Sequence, residues 1–180
     1  MAKRTFKETV NLIKGDLVAY AEPFWKSVLF IPGFKYTFHH RLCWYFYNHK
    51  IFLPLFVIWR LYMYRLTWKL GIQTAWNQSL PARFTISHFG GITFLPESCG
   101  EGVYLRQGCT VGCGGRGNSR LPRIGNNVEF GANVCVVGDI DVGNNVTIGA
   151  GAVVTKSVPD NAIVAGVPAR ILRIKTQDEQ

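Results

Sequence analysis

The residue best suited to chemistry in this sequence is His88, in the segment Ile86-Ser-His-Phe-Gly-Gly-Ile92. Paired glycines just after an imidazole leave backbone that a substrate can approach closely. A histidine within hydrogen-bond reach of an acceptor hydroxyl can remove its proton and so activate the oxygen as a nucleophile. The remaining histidines, His39, His40 and His49, lie among aromatic residues and suit surface or packing roles. His88 is therefore the candidate general base, with a purely structural histidine as the alternative.

The element that must position His88 is a six-residue repeat, which is regular from Ile124 to Pro159. Neither a helix nor a two-faced strand has this period, whereas short strands joined by Gly and Asn corners do. Such coils form a solenoid, in which each coil buries its apolar edge on its neighbour. The predicted inward side chains are Phe84, Ile86, Ile92, Leu105, Val111, Ile124, Phe130, Val136, Val142, Ile148 and Val154.

The chain divides into a helical region over residues 1–70, a β-helix over 71–172 and a tail over 173–180. Residues 1–70 hold eleven Lys and Arg against three Asp and Glu, so nearly all of the net charge of +9 lies there. The repeats are interrupted by a glycine-rich basic segment at 112–123. Solenoids carry such insertions as loops on one face, often the binding face.

Helices are predicted from about Thr5 to Leu70, with breaks near Pro23 and at Ile31-Pro-Gly-Phe34. The apolar run from Ile51 to Trp59 is far shorter than the roughly 20 residues needed to span a bilayer. Two interpretations of this region stay open: a cap over the open end of the solenoid or an oligomer contact, and a helix pair that lies on a membrane surface. In the second, the residues that reach anionic headgroups are Arg41, Lys50, Arg60, Arg65 and Lys69.

Composition removes several other classes of function. The five cysteines form no CxxC pair, so we expect reduced thiols and no zinc site. The first residues are charged and lack the apolar core of a signal peptide, so we expect a cytoplasmic protein. No recognised nucleic-acid-binding motif accompanies the basic charge.

The repeats, together with the ending Ile163-Val-Ala-Gly-Val-Pro-Ala-Arg-Ile-Leu172, resemble the hexapeptide-repeat acyltransferases. The segments Pro32–Cys43 and Ile86–Gly91 are similar to the polysaccharide-type relatives in the serine acetyltransferase branch of that family, such as capsular and colanic-acid O-acetyltransferases. This resemblance implies a left-handed parallel β-helix, a homotrimer and direct transfer from acetyl-CoA without metal or covalent intermediate. It also implies that His88 is the base.

By the same resemblance, the pantetheine arm of CoA lies between subunits and contacts the chain at Gly112, Ala132 and Ala150. Lys156 and Arg170 are the candidates for the CoA phosphates. Backbone N–H groups near Gly112 are candidates for holding the oxyanion of the tetrahedral intermediate.

The sequence departs from the serine-specific pattern at three positions. Ser87 stands where serine acetyltransferases have an acidic residue, and Leu121 is the nearest match to a histidine of their inserted loop. Gln73 stands where the family has the carboxylate that orients the base, so either Gln73 orients His88 or a carboxylate such as Glu97 or Glu101 replaces it.

A site without those groups has little to bind the ammonium and carboxylate of serine. We therefore expect an O-acetyltransferase acting on a sugar hydroxyl of a surface-polysaccharide precursor, soluble or lipid-linked, at or near the inner face of the cytoplasmic membrane. Ser87, Arg106 and Arg120 are the candidates for acceptor contacts. Serine O-acetyltransferase and a non-catalytic, membrane-associated scaffold are the alternatives. A γ-class carbonic anhydrase is excluded, since the repeat region holds one histidine and that zinc site needs three.

Overall fold

The computed structural model describes residues 4–49, 53–115 and 120–176. Helices come first along the chain: α1 (Phe6–Val18), α2 (Phe24–Phe30), α3 (Pro32–Asn48) and α4 (Leu53–Leu70). Lys50 lies outside the described residues, and the loop predicted over 112–123 is described only at its two ends.

Local chemistry sets the helix boundaries. Thr5 caps α1 by accepting from the backbone N–H of Glu8, whose carboxylate accepts from the Thr5 N–H in return. Pro23 precedes α2, and Pro32 is the first residue of α3, where its missing N–H costs nothing. The predicted break near Pro23 is therefore confirmed, and the break predicted at Ile31–Phe34 is confined to Ile31, because α3 already begins at Pro32.

Among the described residues, short strands wind into a β-helix with three parallel faces. Face 1 contains β1 (Ile72–Thr74), β3 (Ile92–Phe94), β6 (Thr110–Gly112), β9 (Cys135–Val137) and β12 (Val153–Val154). Face 2 contains β2 (Thr85–Ile86), β5 (Tyr104–Leu105), β8 (Glu129–Phe130), β11 (Thr147–Ile148) and β13 (Ala162–Ala165), and face 3 contains β4 (Ser98–Cys99), β7 (Arg123–Ile124) and β10 (Asp141–Val142).

The register confirms three hexads per coil. Phe130 pairs with Ile148 and Val136 with Val154, in each case across one full coil. Every predicted inward side chain is buried and belongs to one continuous core. Asn133 turns a corner at φ 58°, a conformation that Asn tolerates better than most residues, which explains its place in the repeat.

The C-terminal end of the β-helix is covered by a strand that the sequence analysis had partly assigned to the tail. β14 (Arg170–Ile174) folds back and pairs with β13 in antiparallel fashion. Two residues assigned from sequence to the tail, 173 and 174, are thus part of a strand. Its antiparallel pairing covers the last edge of face 2, which would otherwise present free backbone groups.

The helices close the N-terminal end of the β-helix around a buried ion pair. The Arg41 guanidinium donates to both Asp16 carboxylate oxygens, at 2.7 and 2.8 Å, and both side chains are almost fully buried. Asp16 also accepts from the Phe84 N–H, and Arg41 donates to the carbonyls of Leu80 and Pro81. The assignment of Arg41 to lipid headgroups was therefore wrong, because its guanidinium is buried and paired with Asp16.

Two further contacts complete the cap. The Tyr20 hydroxyl accepts from the Ile86 N–H at 3.0 Å and donates to the Ile86 carbonyl at 3.1 Å. Gly33 of α3 lies so close to that carbonyl that a Cβ on residue 33 would stand 1.9 Å from the oxygen. Asp16 of α1 and Tyr20, which follows that helix, thus occupy backbone groups of the first coil, and α3 packs directly on it, as the cap interpretation predicts.

Removing the charge of Asp16 should break this junction. Asp16→Asn leaves the Arg41 guanidinium buried without a counter-charge, so we expect the free energy of unfolding to fall by roughly 3–5 kcal/mol. Urea unfolding followed by circular dichroism measures the loss. Glu22→Gln, which breaks the exposed ion pair with Lys26, is the matched control and should cost far less. Equal losses in the two variants would show that the pair does not hold the cap.

Candidate active site

His88 lies on an enlarged corner between face 2 and face 1. Seven residue steps separate Ile86 from Thr93, whereas five separate their partners in the next coil, Leu105 and Thr110. The two extra residues push His88 and Phe89 outward, and both side chains are exposed. Gly90 and Gly91 absorb the turn at φ 107° and 65°, which few other residues could adopt. The paired glycines noted in the sequence therefore serve to project the imidazole.

None of the residues proposed to orient His88 is bonded to it. Within the described residues, neither His88 nor Gln73 makes a side-chain hydrogen bond, and Gln73 faces outward from β1. Glu97 is paired with Arg123 at 3.2 Å, and Glu101 with Arg83 at 3.7 Å. Both carboxylates are engaged elsewhere, so their proposed substitution for the family carboxylate gains no support.

Gln107 was missed by the sequence analysis. It occupies the corner of the coil next to His88, and its side-chain oxygen is buried without a hydrogen-bond partner. A buried acceptor without a donor is costly and calls for a physical reason. The sequence offered one signal for Gln107. It follows the inward residue Leu105 and so lies on the corner after β5, which stacks on the enlarged corner.

The residues assigned to CoA lie at two edges of face 1. Ala132 and Ala150 follow β8 and β11, so they stack on the same corner of successive coils as His88 and Gln107. Arg170 pairs with Ala165 near the far end of this column, and its side chain is exposed. A path of small residues thus leads from His88 toward a cation.

Gly112 does not belong to that column. It ends β6 at the opposite edge of face 1, where it pairs with Val137. Lys156 follows β12 at this same edge and is exposed. A single subunit therefore separates Gly112 and Lys156 from Ala132 and Ala150 by the width of a face.

The candidate acceptor contacts are also divided. Ser87 is next to Arg106 in the neighbouring coil, because the Ser87 N–H donates to the Leu105 carbonyl. Arg106 stacks over Tyr104 and lies 3.5 Å from Glu129. Arg120, in contrast, is on face 3.

On face 3, acidic side chains surround Arg120 and Arg123. Arg120 donates to Asp139 at 2.6 Å, and Arg123 donates to Asp139 and Asp141. Hydrogen bonds from the two arginines lower the pKa of Asp139, so this cluster neutralises itself. Ser87 and Arg106 therefore remain beside His88, and Arg120 does not.

An aromatic cavity of about 630 Å³ opens beside the enlarged corner, between α4 and face 1. Gly91 and Gln73 form its β-helix wall. Arg60 lies over the Trp76 ring at 5.1 Å from the centroid, so the predicted headgroup contact of Arg60 is replaced by a cation–π contact. Trp68, Tyr64 and Tyr36 add further aromatic side chains, and the described lining contains no carboxylate.

Two histidines beside this region are held neutral. Burial lowers the pKa of His40 to about 4, and burial with the nearby Lys35 lowers the pKa of His39 to about 4. A hydrogen bond joins His40 Nε2 and the Ala75 carbonyl at 3.2 Å. The ordinary pKa of histidine is 6.5. Between pH 6.5 and 4 the two side chains therefore bind protons in the unfolded chain but stay neutral in the folded protein. The packing role expected for these histidines is consistent with their burial.

Stability should therefore fall on acidification. Between pH 7 and pH 5, His40 alone should remove roughly 2 kcal/mol from the free energy of unfolding, because stability is full above the unfolded pKa and is lost below it. Urea midpoints at a series of pH values measure this slope. In His40→Gln the slope should be distinctly smaller, whatever the stability of the variant at pH 7. An unchanged slope would mean that His40 accepts a proton in the folded protein.

Comparison with known proteins finds similarity to bacterial acetyltransferases that contain hexapeptide repeats. A family model described as bacterial transferase hexapeptide (six repeats) matches residues 122–156. A protein of Escherichia coli strain K12, assigned to colanic acid biosynthesis as the acetyltransferase WcaB, is 44% identical over 123 residues, which cover 68% of this chain and 74% of that protein. Within the described residues, no group of side chains could hold a metal ion.

Solved structures extend the similarity to the helices. The crystal structure of Neisseria gonorrhoeae serine acetyltransferase superposes with a TM-score of 0.78 at 25% identity, covering 97% of this chain and 71% of that one. The serine acetyltransferase of Brucella abortus strain S19 in complex with coenzyme A superposes with a TM-score of 0.74 at 27% identity, covering 95% and 70%.

Proposed function

This chain belongs to the hexapeptide-repeat acetyltransferases, and from that premise we propose that it acetylates a sugar hydroxyl of a surface-polysaccharide precursor, with His88 as general base. The chain is an acetyl-CoA-dependent O-acetyltransferase with the left-handed β-helix of its family. The observation that carries the finer proposal is the enlarged corner, which projects His88 beside an aromatic cavity whose described lining contains no carboxylate. The proposed location is the cytoplasm.

The proposed reaction is a direct transfer. The His88 imidazole takes the proton of the acceptor hydroxyl while the oxygen attacks the thioester carbonyl of acetyl-CoA. The tetrahedral intermediate collapses with cleavage of the carbon–sulfur bond. The imidazolium then returns its proton to the departing CoA thiolate, which leaves an acetylated sugar, free CoA and the original imidazole.

The lining of the cavity supports a sugar as the proposed acceptor. Tryptophan and tyrosine faces bind the apolar C–H surface of a sugar ring, and the Gln73 amide and Arg60 can pair with hydroxyls. An amino acid carries an ammonium group, which requires a carboxylate or several acceptors. The described lining offers no carboxylate, and Ser87 stands where the serine-specific relatives have an acid. These features support a sugar over serine.

The two edges of face 1 support a trimer in which CoA is shared. Ala132 and Ala150 lie on the His88 edge of one subunit, while Gly112 and Lys156 lie on the opposite edge. A pantetheine arm between neighbouring subunits can touch one edge of each. In this arrangement Arg170 is available to the CoA phosphates, and the reacting carbonyl lies near His88.

We assign the orientation of His88 to Gln107 in preference to Gln73. The Gln107 oxygen is buried and lacks a donor, and it belongs to the coil next to His88. An imidazole N–H donated to this oxygen would fix the tautomer that leaves the other nitrogen free as a base. An amide cannot stabilise the imidazolium by charge, so orientation is its contribution.

The central test is CoA-thiol release by the wild type and by His88→Ala. With acetyl-CoA and sugars or lipid-linked oligosaccharides, loss of the base should lower kcat by about 10²–10⁴-fold. His49→Ala removes an imidazole from the helical region and should leave kcat unchanged. Because His88 is exposed and unbonded, its variant should unfold like the wild type. Release with L-serine alone would overturn the sugar proposal in favour of serine acetylation.

The two glutamines can be separated by kinetics. Gln107→Leu should lower kcat about fivefold, which corresponds to the roughly 1 kcal/mol net contribution of one hydrogen bond, with little change in KM for the acceptor. Gln73→Leu should chiefly raise that KM. Gln107→Glu keeps a hydrogen-bond acceptor and adds a negative charge. The acidic limb of the pH profile of kcat should therefore move to higher pH. A pH profile identical to the wild type in Gln107→Glu would remove Gln107 from the orienting role.

A further inference from the structure

An apolar surface on the helical region is left uncovered. We call it the outer face, and it consists of Leu29 and Phe30 of α2, Ile58, Leu61 and Tyr62 of α4, and Phe89 of the enlarged corner. Phe30 is 70% exposed, and Ile58 and Leu61 are 62% and 63% exposed. Leu29, Phe30, Tyr62 and Phe89 line one groove of about 340 Å³. The exposed side chains therefore form one continuous surface across three elements.

The way α4 packs explains why this surface is free. In the described structure, Met63, Leu66 and Leu70 are the buried residues of α4, and they form a single stripe against the core. Phe56 and Trp59 pack partly against the same core, whereas Ile58, Leu61 and Tyr62 are exposed. Monomeric proteins rarely expose contiguous apolar surface of this kind without a partner.

In the described lining of the outer-face groove, every charged side chain is a cation. Lys35, Arg65 and Lys69 line it, and none is in a described ion pair. The sequence contains no Asp or Glu between Glu22 and Glu97, although eight Lys and Arg fall there. An apolar surface rimmed by cations complements an anionic bilayer, where the apolar side chains enter the headgroup boundary and the cations meet phosphates.

The same charge argues against a second copy as the occupant. A symmetric contact would bring the outer face of one subunit against that of another and oppose like charges. No helix in the described residues is long and apolar enough to cross a membrane. Exposed Trp25 and Trp68, on the same helices, are residues that favour the membrane interface.

We infer that the outer face docks on membranes containing anionic phospholipid, with α4 lying in the plane of the interface. This binding goes beyond the proposed reaction and does not depend on it. One consequence does rest on the proposed function: Phe89 joins the outer face to His88, so an acceptor sugar held on a lipid would reach the base from the bilayer.

The test is co-sedimentation of the full-length protein with vesicles, without acetyl-CoA. Vesicles of phosphatidylcholine and phosphatidylglycerol in equal parts should bind the protein, pure phosphatidylcholine should bind it far less, and added salt should weaken binding. Arg65→Gln/Lys69→Gln should lower the partition coefficient by roughly 30-fold, as expected for two cations near an anionic surface. Lys7→Gln/Lys14→Gln removes the same charge from α1 and should have a much smaller effect.

The apolar contribution is tested by Ile58→Asn/Leu61→Asn, which should also strongly lower the partition coefficient. Leu172→Asn, an equally exposed apolar position on β14, is its control and should bind normally. Equal binding to both vesicle types, or none to either, would overturn the inference. So would a drop in oligomer size in the Ile58/Leu61 variant with vesicle binding intact, since the face would then be a contact between copies. Turnover of a soluble sugar should be unchanged in all four variants, which keeps this result separate from the test of His88.

Discussion

The end of a β-helix leaves a row of backbone N–H and C=O groups without partners, and the arrangement of the helices follows from this constraint. An open edge of this kind invites pairing with another chain. Here the Phe84 N–H, the Leu80 and Pro81 carbonyls and both backbone groups of Ile86 are bonded to side chains of the cap. The cap therefore fixes the coil from which the enlarged corner projects.

The solenoid also restricts where chemistry can arise. Strand positions must keep their register, since each inward residue packs on the coil above and below. Corners are free to lengthen, and the corner at 87–91 holds two more residues than the next one. His88 is therefore exposed at the one kind of position that the fold can vary without losing its core. The neighbouring corners place a buried acceptor at Gln107 and small residues at Ala132 and Ala150 in the same column as His88.

This division explains what the sequence could predict. The hexads revealed the inward residues and the coil length because period and burial are local properties of the repeat. His88 stood out because its glycines mark an unusual corner. Arg41 was misjudged, since its partner Asp16 is 25 residues away on another helix and only the packing of α1 on α3 brings them together. The position of Gln107 beside His88 and the separation of Gly112 from Ala132 both depend on which corners stack on one another. The insertions between repeats determine that stacking, and the hexad pattern does not reveal it.

The two parts of the chain differ in how their charged side chains are paired. On the β-helix, Arg120 and Arg123 are matched by Asp139, Asp141 and Glu97, so the surface is close to neutral. In the cap one arginine, Arg41, is used internally, while the cations of the outer face meet no acid in the described structure. Self-repulsion of unpaired cations opposes the compact state, and they contribute nothing to the core. Their position on the outer face fits the anionic membrane surface that we infer as its partner, and the outer face includes Phe89 of the corner from which His88 projects.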